Sequence, residues 1–253
     1  MKNLTSQLLK FSIVFVTMCF SASTYATTFT VTNTNNSGAG SYNQAILDSE
    51  LDATATALAP HTININVGGT ISNPLAPRNW ITVNGPKDNS LIFSGSFSFI
   101  SAFNNKEATY NNISFTNGST SSFGGSMSFS ASGAIMNFNS CQFYGNTAAQ
   151  HGGAVFNNGQ EMHFKNCTFY NNSTTDPAGW GGGAYFDNNG TASFENCTFS
   201  GNSTVSTQSG GGGGGAILVG QHSDVTIINC TFYNNSAALF GGAVQVRSGG
   251  SGT

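Results

Sequence analysis

The sequence predicts an all-β protein, a parallel β-helix solenoid with a short capping helix at its N-terminal end. Three observations predict it. A ten-residue phrase containing Asn-Cys-Thr-Phe recurs along the second half, a Gly-Gly-small phrase alternates with it, and the composition is neutral but not disordered. Only 7% of residues are charged, against about 25% in ordinary soluble domains. Ser, Thr, Asn and Gly must therefore face the water. A hydrophobic content of 38%, with 21 Phe, supplies a core that a disordered chain would lack. The formal charge of −3 makes no basic field, so nucleic acid is not an expected partner.

The chain opens as an export signal. Lys2 and Lys10 precede the apolar run Phe11 to Phe20, and "SASTYATT" offers small residues for cleavage. Thr24 and Ala26 suit the −3 and −1 positions, which places the cut after Ala26 and assigns 1–26 to the signal. The run is short for a membrane span, which needs roughly 20 apolar residues; a non-cleaved anchor is the alternative. Cys19 follows "VTM", a poor lipoprotein signal.

Residues 27–107 read as a cap and early coils. In "SGAGSYNQAILDSELDA", Tyr42 with Ile46 and Leu47 with Leu51 form i, i+4 pairs suited to a short amphipathic helix. Such a helix would cover the apolar end and open strand edges of a first coil. "HTININVGG", "WITVNGP" and "SLIFSGSFSFI" then supply strands.

Residues 108–247 hold the repeats. The cysteines fall at 141, 167, 197 and 230, at intervals of 26, 30 and 33. Between them lie "GGSM" from Gly124, "GGAV" from Gly152, "GGAY" from Gly182, "GGAI" from Gly214 and "GGAV" from Gly241. Self-similarity at this period signals a solenoid. In "MHFKNCTF", Met162 and Phe164 alternate with His163 and Lys165, then Asn166 breaks the alternation. Asn tolerates the left-handed conformation of a sharp corner.

Strand, Asn corner, strand, loop, Gly corner and strand make one coil. Coils stacked about 4.8 Å apart put equal slots into columns. Cys141, Cys167, Cys197 and Cys230 form one, and Phe143, Phe169, Phe199 and Phe232 a second, stacked column. Asn166, Asn196 and Asn229, with Ser140 as a looser match, form a corner column. Those corner side chains are expected to be buried and to pass amide hydrogen bonds from coil to coil. The cysteines read first as a buried stack of thiols. Disulfides, which export would permit, are the alternative, and the spacing offers no zinc knuckle.

Residues 248–253 read as a Gly/Ser tail. It follows "GGAVQV" without a cap, so a truncated end is expected.

The alternating "GGA[IV]" and "FxxN" tetrapeptides resemble the repeat of the polymorphic outer-membrane protein family of autotransporter adhesins. The second motif stands as "FYGN" from Phe143, "FYNN" from Phe169, "FSGN" from Phe199 and "FYNN" from Phe232. "TVTNTNNSGAGSYNQAI" and "ITVNGP" look like the opening of bacterial right-handed β-helix repeat proteins, though "SYNQAI" departs from the usual Leu-Arg pair. The resemblance implies a right-handed, single-stranded β-helix at an extracellular or outer-membrane surface, or else in the periplasm, and adhesion to surface glycans or proteins. It implies no catalytic set and no cofactor. An autotransporter also carries a membrane barrel, whose strands are not found here. Membrane association would come only from a C-terminal part beyond Thr253.

An enzyme is the rival, because polysaccharide lyases and glycosidases share such an architecture and fold does not settle chemistry. Glycosidases generally use a carboxylate pair. Counting back six from the column cysteines gives Glu161, Thr191 and Asp224, two coils apart, or about 9.6 Å between the acids. This is the best catalytic pair on offer, and solvated turn acids are the simpler reading. Lys165 beside Glu195 reads as an exposed ion pair. His61, His151, His163 and His222 occupy unrelated slots, and no metal site is expected. Trp180, in the loop "TTDPAGWG", is the candidate ligand-binding aromatic, or else folds back onto the stack. Glycosylation-type "NCT", "NNS" and "NGT" triplets come mostly from the repeat. A lone Thr168, Thr198 and Thr231 column is too little for an ice-binding face.

Overall fold

The computed structural model describes residues 26–99, 104–130, 133–205, 207, 212–247 and 249–252. The expected signal lies outside them except for Ala26. Among the described residues, four parallel sheets of nine, seven, five and six strands run along one axis. No helix among them is long and apolar enough to cross a membrane.

One coil shows how the sequence makes the turn. Glu161–Lys165 is a strand of the nine-stranded sheet, with Met162 and Phe164 pointing inward. Asn166 turns the chain at φ 55°, and Thr168–Tyr170 continues in the seven-stranded sheet. Asn171, also at φ 55°, makes a second corner into the two-residue strand Ser173–Thr174. After a loop and Gly181 (φ 66°), Ala184–Asp187 closes the circuit in the six-stranded sheet. Each strand pairs with its equivalent one coil on: Glu161 with Thr191, Phe169 with Phe199, Ser173 with Ser203, Ala184 with Ile217. The two-residue strand is too short to leave a periodic trace in the sequence.

Strand register corrects one alignment. Val155 pairs with Ala184, so Gly181, not Gly182, is the equivalent of Gly152. "GGGA" is the phrase in that coil. The two glycines of the corner do different work. Gly152 sits at φ 63°, where a side chain is strained. Gly153 has an ordinary φ, but a Cβ there would lie 2.0 Å from the Gly182 carbonyl oxygen of the next coil.

Two aromatic columns fill the interior. Phe115, Phe143, Phe169, Phe199 and Phe232 stack at 4.5–5.0 Å with interplanar angles of 3–15°. Tyr110, Phe138, Phe164 and Phe194 form the second column, and its rings meet the first edge-on at 5.2–5.3 Å (Phe138 to Phe143, Phe164 to Phe169, Phe194 to Phe199). Offset stacks and edge contacts are both favoured by the ring quadrupole, at about 0.5–1.5 kcal/mol per pair beyond burial.

The expected buried asparagine column is displaced. Asn166, Asn196 and Asn229 do adopt the left-handed corner, at φ 51–55°, but their side chains are exposed. Only Asn229 Nδ2 is seen donating along that column, to Asn196 Oδ1 at 2.6 Å. The buried ladder is made by the last residue of each "FxxN". Asn146 Nδ2 donates to Asn172 Oδ1, Asn172 Nδ2 to Asn202 Oδ1, and Asn202 Nδ2 to Asn235 Oδ1, each at 2.9 Å. Each amide also donates to a carbonyl of the preceding coil, as Asn172 does to Phe143 O at 2.9 Å. Residue three of the motif (Gly145, Asn171, Gly201, Asn234) has positive φ and turns the following Asn inward.

At the N-terminal end, the helix α1 (Tyr42–Leu51) is capped by Ser41, whose Oγ accepts from Gln44 N at 3.2 Å. Its inward face is Tyr42, Ala45, Ile46 and Ser49. Tyr42 packs on Phe93 at 4.7 Å and donates to Leu75 O. Thus only one of the two expected pairs faces the core. Leu47 and Leu51 are 46% and 86% exposed, off the face made by Tyr42, Ala45, Ile46 and Ser49. At the other end, Ser251–Gly252 pairs with Asp224–Val225. Residues read as a linker thus add a rung.

Candidate functional site

The residue before each Gly-Gly corner points outward, and those residues form a column of their own: Phe123, His151, Trp180, Gly213 and Phe240. Parallel bridges pair Phe123 with His151, His151 with Trp180, and Gly213 with Phe240. His151 stacks on Phe123 at 5.1 Å and on Trp180 at 4.8 Å. The Arg247 guanidinium lies over the far face of Trp180, 4.1 Å from the ring centre, a cation–π contact.

Beside this column run the outward positions of the six-stranded sheet, where Ser128, Phe156, Tyr185, Leu218 and Gln245 are in register. Phe123 stacks on Phe156 at 4.7 Å, and Tyr185 meets Trp180 edge-on at 5.7 Å. Tyr185 and Leu218 are buried although they face outward, so this side of the solenoid carries a second, external apolar layer. An open groove of about 490 Å³ follows it, with apolar walls from Phe123, Phe156, Trp180 and Tyr185 and a polar margin from Asn158 and Asp187. That volume is ordinary for a small-molecule or oligomer subsite.

The electrostatics of the groove follow from burial. Burial pushes the His151 imidazole below its usual value, so the ring is neutral at neutral pH. Burial, then the neighbouring Asp187, pushes the Tyr185 phenol up. His151 Nδ1 and Trp180 Nε1 are shielded from water.

Of the residues singled out in the sequence, Trp180 lies in this groove, half-buried and stacked. Glu161 and Asp224 lie elsewhere, exposed on the nine-stranded sheet and in register through Thr191. Glu161 Oε1 is 2.9 Å from His163 Nε2, and His163 Nδ1 is 2.8 Å from Ser193 Oγ. Lys165 pairs with Glu195 at 3.1 Å, both about half exposed, which contributes little. Cys141, Cys167 and Cys197 are buried free thiols and Cys230 is partly exposed. The Cys167 and Cys197 Sγ groups donate to Phe138 O and Phe164 O. Among the described residues no group of three or more His, Cys, Asp or Glu is placed to hold a metal.

The missed residues are His151, Phe123, Phe156 and Tyr185. Their signal was available in the slot just before each Gly-Gly pair and three places after it, where rings recur. His151 shares no slot with the other histidines and is related instead to the Phe and Trp of its own slot.

The model of the right-handed β-helix region matches residues 21–253. The chain belongs to the right-handed β-helix family. No curated protein and no solved structure matches it. Membership in the right-handed β-helix family accounts for the four parallel sheets and the single short helix among the described residues, and it leaves the ligand to be argued from the groove of this β-helix.

Proposed function

We propose that this β-helix is an exported, adhesin-like binding protein that holds glycan chains against its external aromatic layer. The observation that carries the reading is the outward column Phe123–His151–Trp180 with a groove beside it. A monomeric surface gains nothing from exposing such a layer, whereas sugar rings present apolar C–H patches next to hydroxyls. Asp187 and Asn158 at the margin of the groove offer hydrogen bonds to those hydroxyls. The uncharged Ser, Thr and Asn exterior, the resemblance to autotransporter adhesins and the leader-like first 26 residues support display at a surface.

The test is a panel of plant, bacterial and host glycans applied to purified protein. Binding to a neutral glycan is expected, and Trp180→Ala should weaken it about tenfold or more by removing the ring that joins His151 to Arg247. Release of new reducing ends that Glu161→Gln abolishes would overturn the binding reading in favour of a glycosidase or lyase.

A further inference from the structure

The outward positions of the seven-stranded sheet form a tyrosine column with one ring missing. Tyr144, Tyr170, Ser200 and Tyr233 stand in register, one per coil. Tyr144 and Tyr170 stack with centres 4.8 Å apart and planes within 7°. At the next rung Ser200 offers only a hydroxymethyl group. Tyr233, 53% exposed, stands at the rung beyond it. Two rungs separate the Tyr170 and Tyr233 positions, about 9.6 Å at the strand spacing. The space over Ser200 is therefore one ring thick, with about 4.8 Å to a tyrosine position on either side, the distance at which ring faces attract.

A second gap in the molecule shows what such a space demands. In the column Trp180–Gly213–Phe240 the middle ring is also missing. There the protein inserts its own flat groups: the Arg247 guanidinium covers Trp180, and Gln245 Oε1 sits where a Gly213 side chain would begin. Over Ser200 the neighbours are of another kind. Thr168 and Thr198 lie two residues back on the same face. The Asn171 carboxamide leans into the rung, with its Oδ1 only 2.5 Å from where a Cβ on Gly201 would be. Glycine at 201 is what leaves room for that amide. The rim is thus hydroxyl and carboxamide, without charge.

We propose that the Ser200 slot is a sugar subsite taking one neutral pyranose ring between Tyr170 and Tyr233. Both faces of a pyranose carry C–H groups for the two phenol rings, and its equatorial hydroxyls reach Asn171, Ser200 and Thr198. A charged ring finds no counter-charge there. The choice of a sugar rests on the glycan-binding reading above, but the slot lies on a different sheet from the Trp180 groove and stands or falls separately.

The experiment is calorimetric titration with hexamers of β-1,4-glucose, β-1,4-xylose and β-1,4-N-acetylglucosamine, and with indole as an aromatic probe. Four proteins are compared: wild type, Ser200→Tyr, Tyr170→Ala and Trp180→Ala. Ser200→Tyr completes the stack and fills the slot, so the fold is kept while the subsite is lost. The expected result is a hexamer affinity reduced about tenfold or more by Ser200→Tyr and by Tyr170→Ala. Unchanged hexamer binding in Ser200→Tyr, with loss in Trp180→Ala, would overturn the slot and leave the groove reading intact. Loss in Ser200→Tyr with none in Trp180→Ala would support the slot and remove the groove. Indole binding that Ser200→Tyr abolishes, without hexamer binding, would overturn the sugar assignment. Binding of no hexamer would overturn both readings.

Discussion

Asn172 Oδ1 accepts from both the backbone amide and the side chain of Asn146, at 3.1 and 2.9 Å. The pair is fully buried, and the pattern repeats through Asn202 and Asn235. A side chain that satisfies two donors on one neighbour, and donates twice itself, is hard to replace. Asn172→Ala should strand the Asn146 N–H and weaken the bonding of Phe143 O, costing about 3 kcal/mol in chemical denaturation. Asn172→Asp should cost at least as much, since a carboxylate cannot donate. Asn166→Gly, at the exposed corner, should be nearly neutral, because Gly takes the same φ without strain.

The thiol column predicts an alkaline weakness. Burial pushes the Cys167 and Cys230 thiols up, and Cys197 is raised first by its contact with Cys167 and then by burial. In the unfolded chain these thiols ionise near pH ~8.5. Above that pH the unfolded state sheds protons that the folded state keeps. Their contribution is therefore complete below about pH 8.5 and declines as pH rises toward the folded values. Urea midpoints measured from pH 7 to 10 should fall on the alkaline side, and less steeply in Cys167→Ala. In the native protein Cys230 should be the first of the four described thiols to react with a thiol reagent.

The inner glycines Gly125, Gly153, Gly182 and Gly215 should tolerate nothing larger. Gly153→Ala would place Cβ 2.0 Å from Gly182 O and 2.6 Å from Ser173 N, both backbone atoms. Its cost should reach or exceed about 3 kcal/mol, the upper end for overpacking, as read from thermal melts. Gly38→Ala, where no atom lies within 4 Å but φ is 87°, should cost only the left-handed strain of about 1–2 kcal/mol.

The helix tests the cap. Tyr42→Ala opens the end of the Phe93 stack and should cost about 3–5 kcal/mol. Leu51→Ser, at a side chain 86% exposed, should stay within about 0.5 kcal/mol. Equal effects at both positions would mean that the helix buries the wider stripe after all.

The solenoid was legible because repetition converts sequence identity into spatial alignment. Met162 and Phe164 read as inward, and the strand register through Thr191 to Asp224 follows the cysteine count. What stayed hidden was direction at corners. Asn166 and Asn172 are both asparagines next to a turn, and nothing local says that one amide points to water and the other into the core. The decisive residue is the one before Asn172, Asn171 at φ 55°, whose left-handed geometry rotates its successor inward. The groove was hidden for a related reason. Rings at His151 and Trp180 belong to one column although their chemistry differs, so a search by residue type separates what a search by slot would join. One extra glycine, in "GGGA", moved the apparent phrase by a residue and concealed that Trp180 stands in the slot of His151.

Slot-to-slot matching also makes each turn of the chain an interchangeable part. Excising residues 161–190 would join Gln160 to Thr191 and bring Cys141 under Cys197, Phe143 under Phe199 and Asn146 under Asn202, like meeting like at every level. A gene coding for such a chain can lose or duplicate a whole segment and still encode a foldable product. Its length can thus drift in steps of about 4.8 Å along the axis, as a ruler changes by whole divisions.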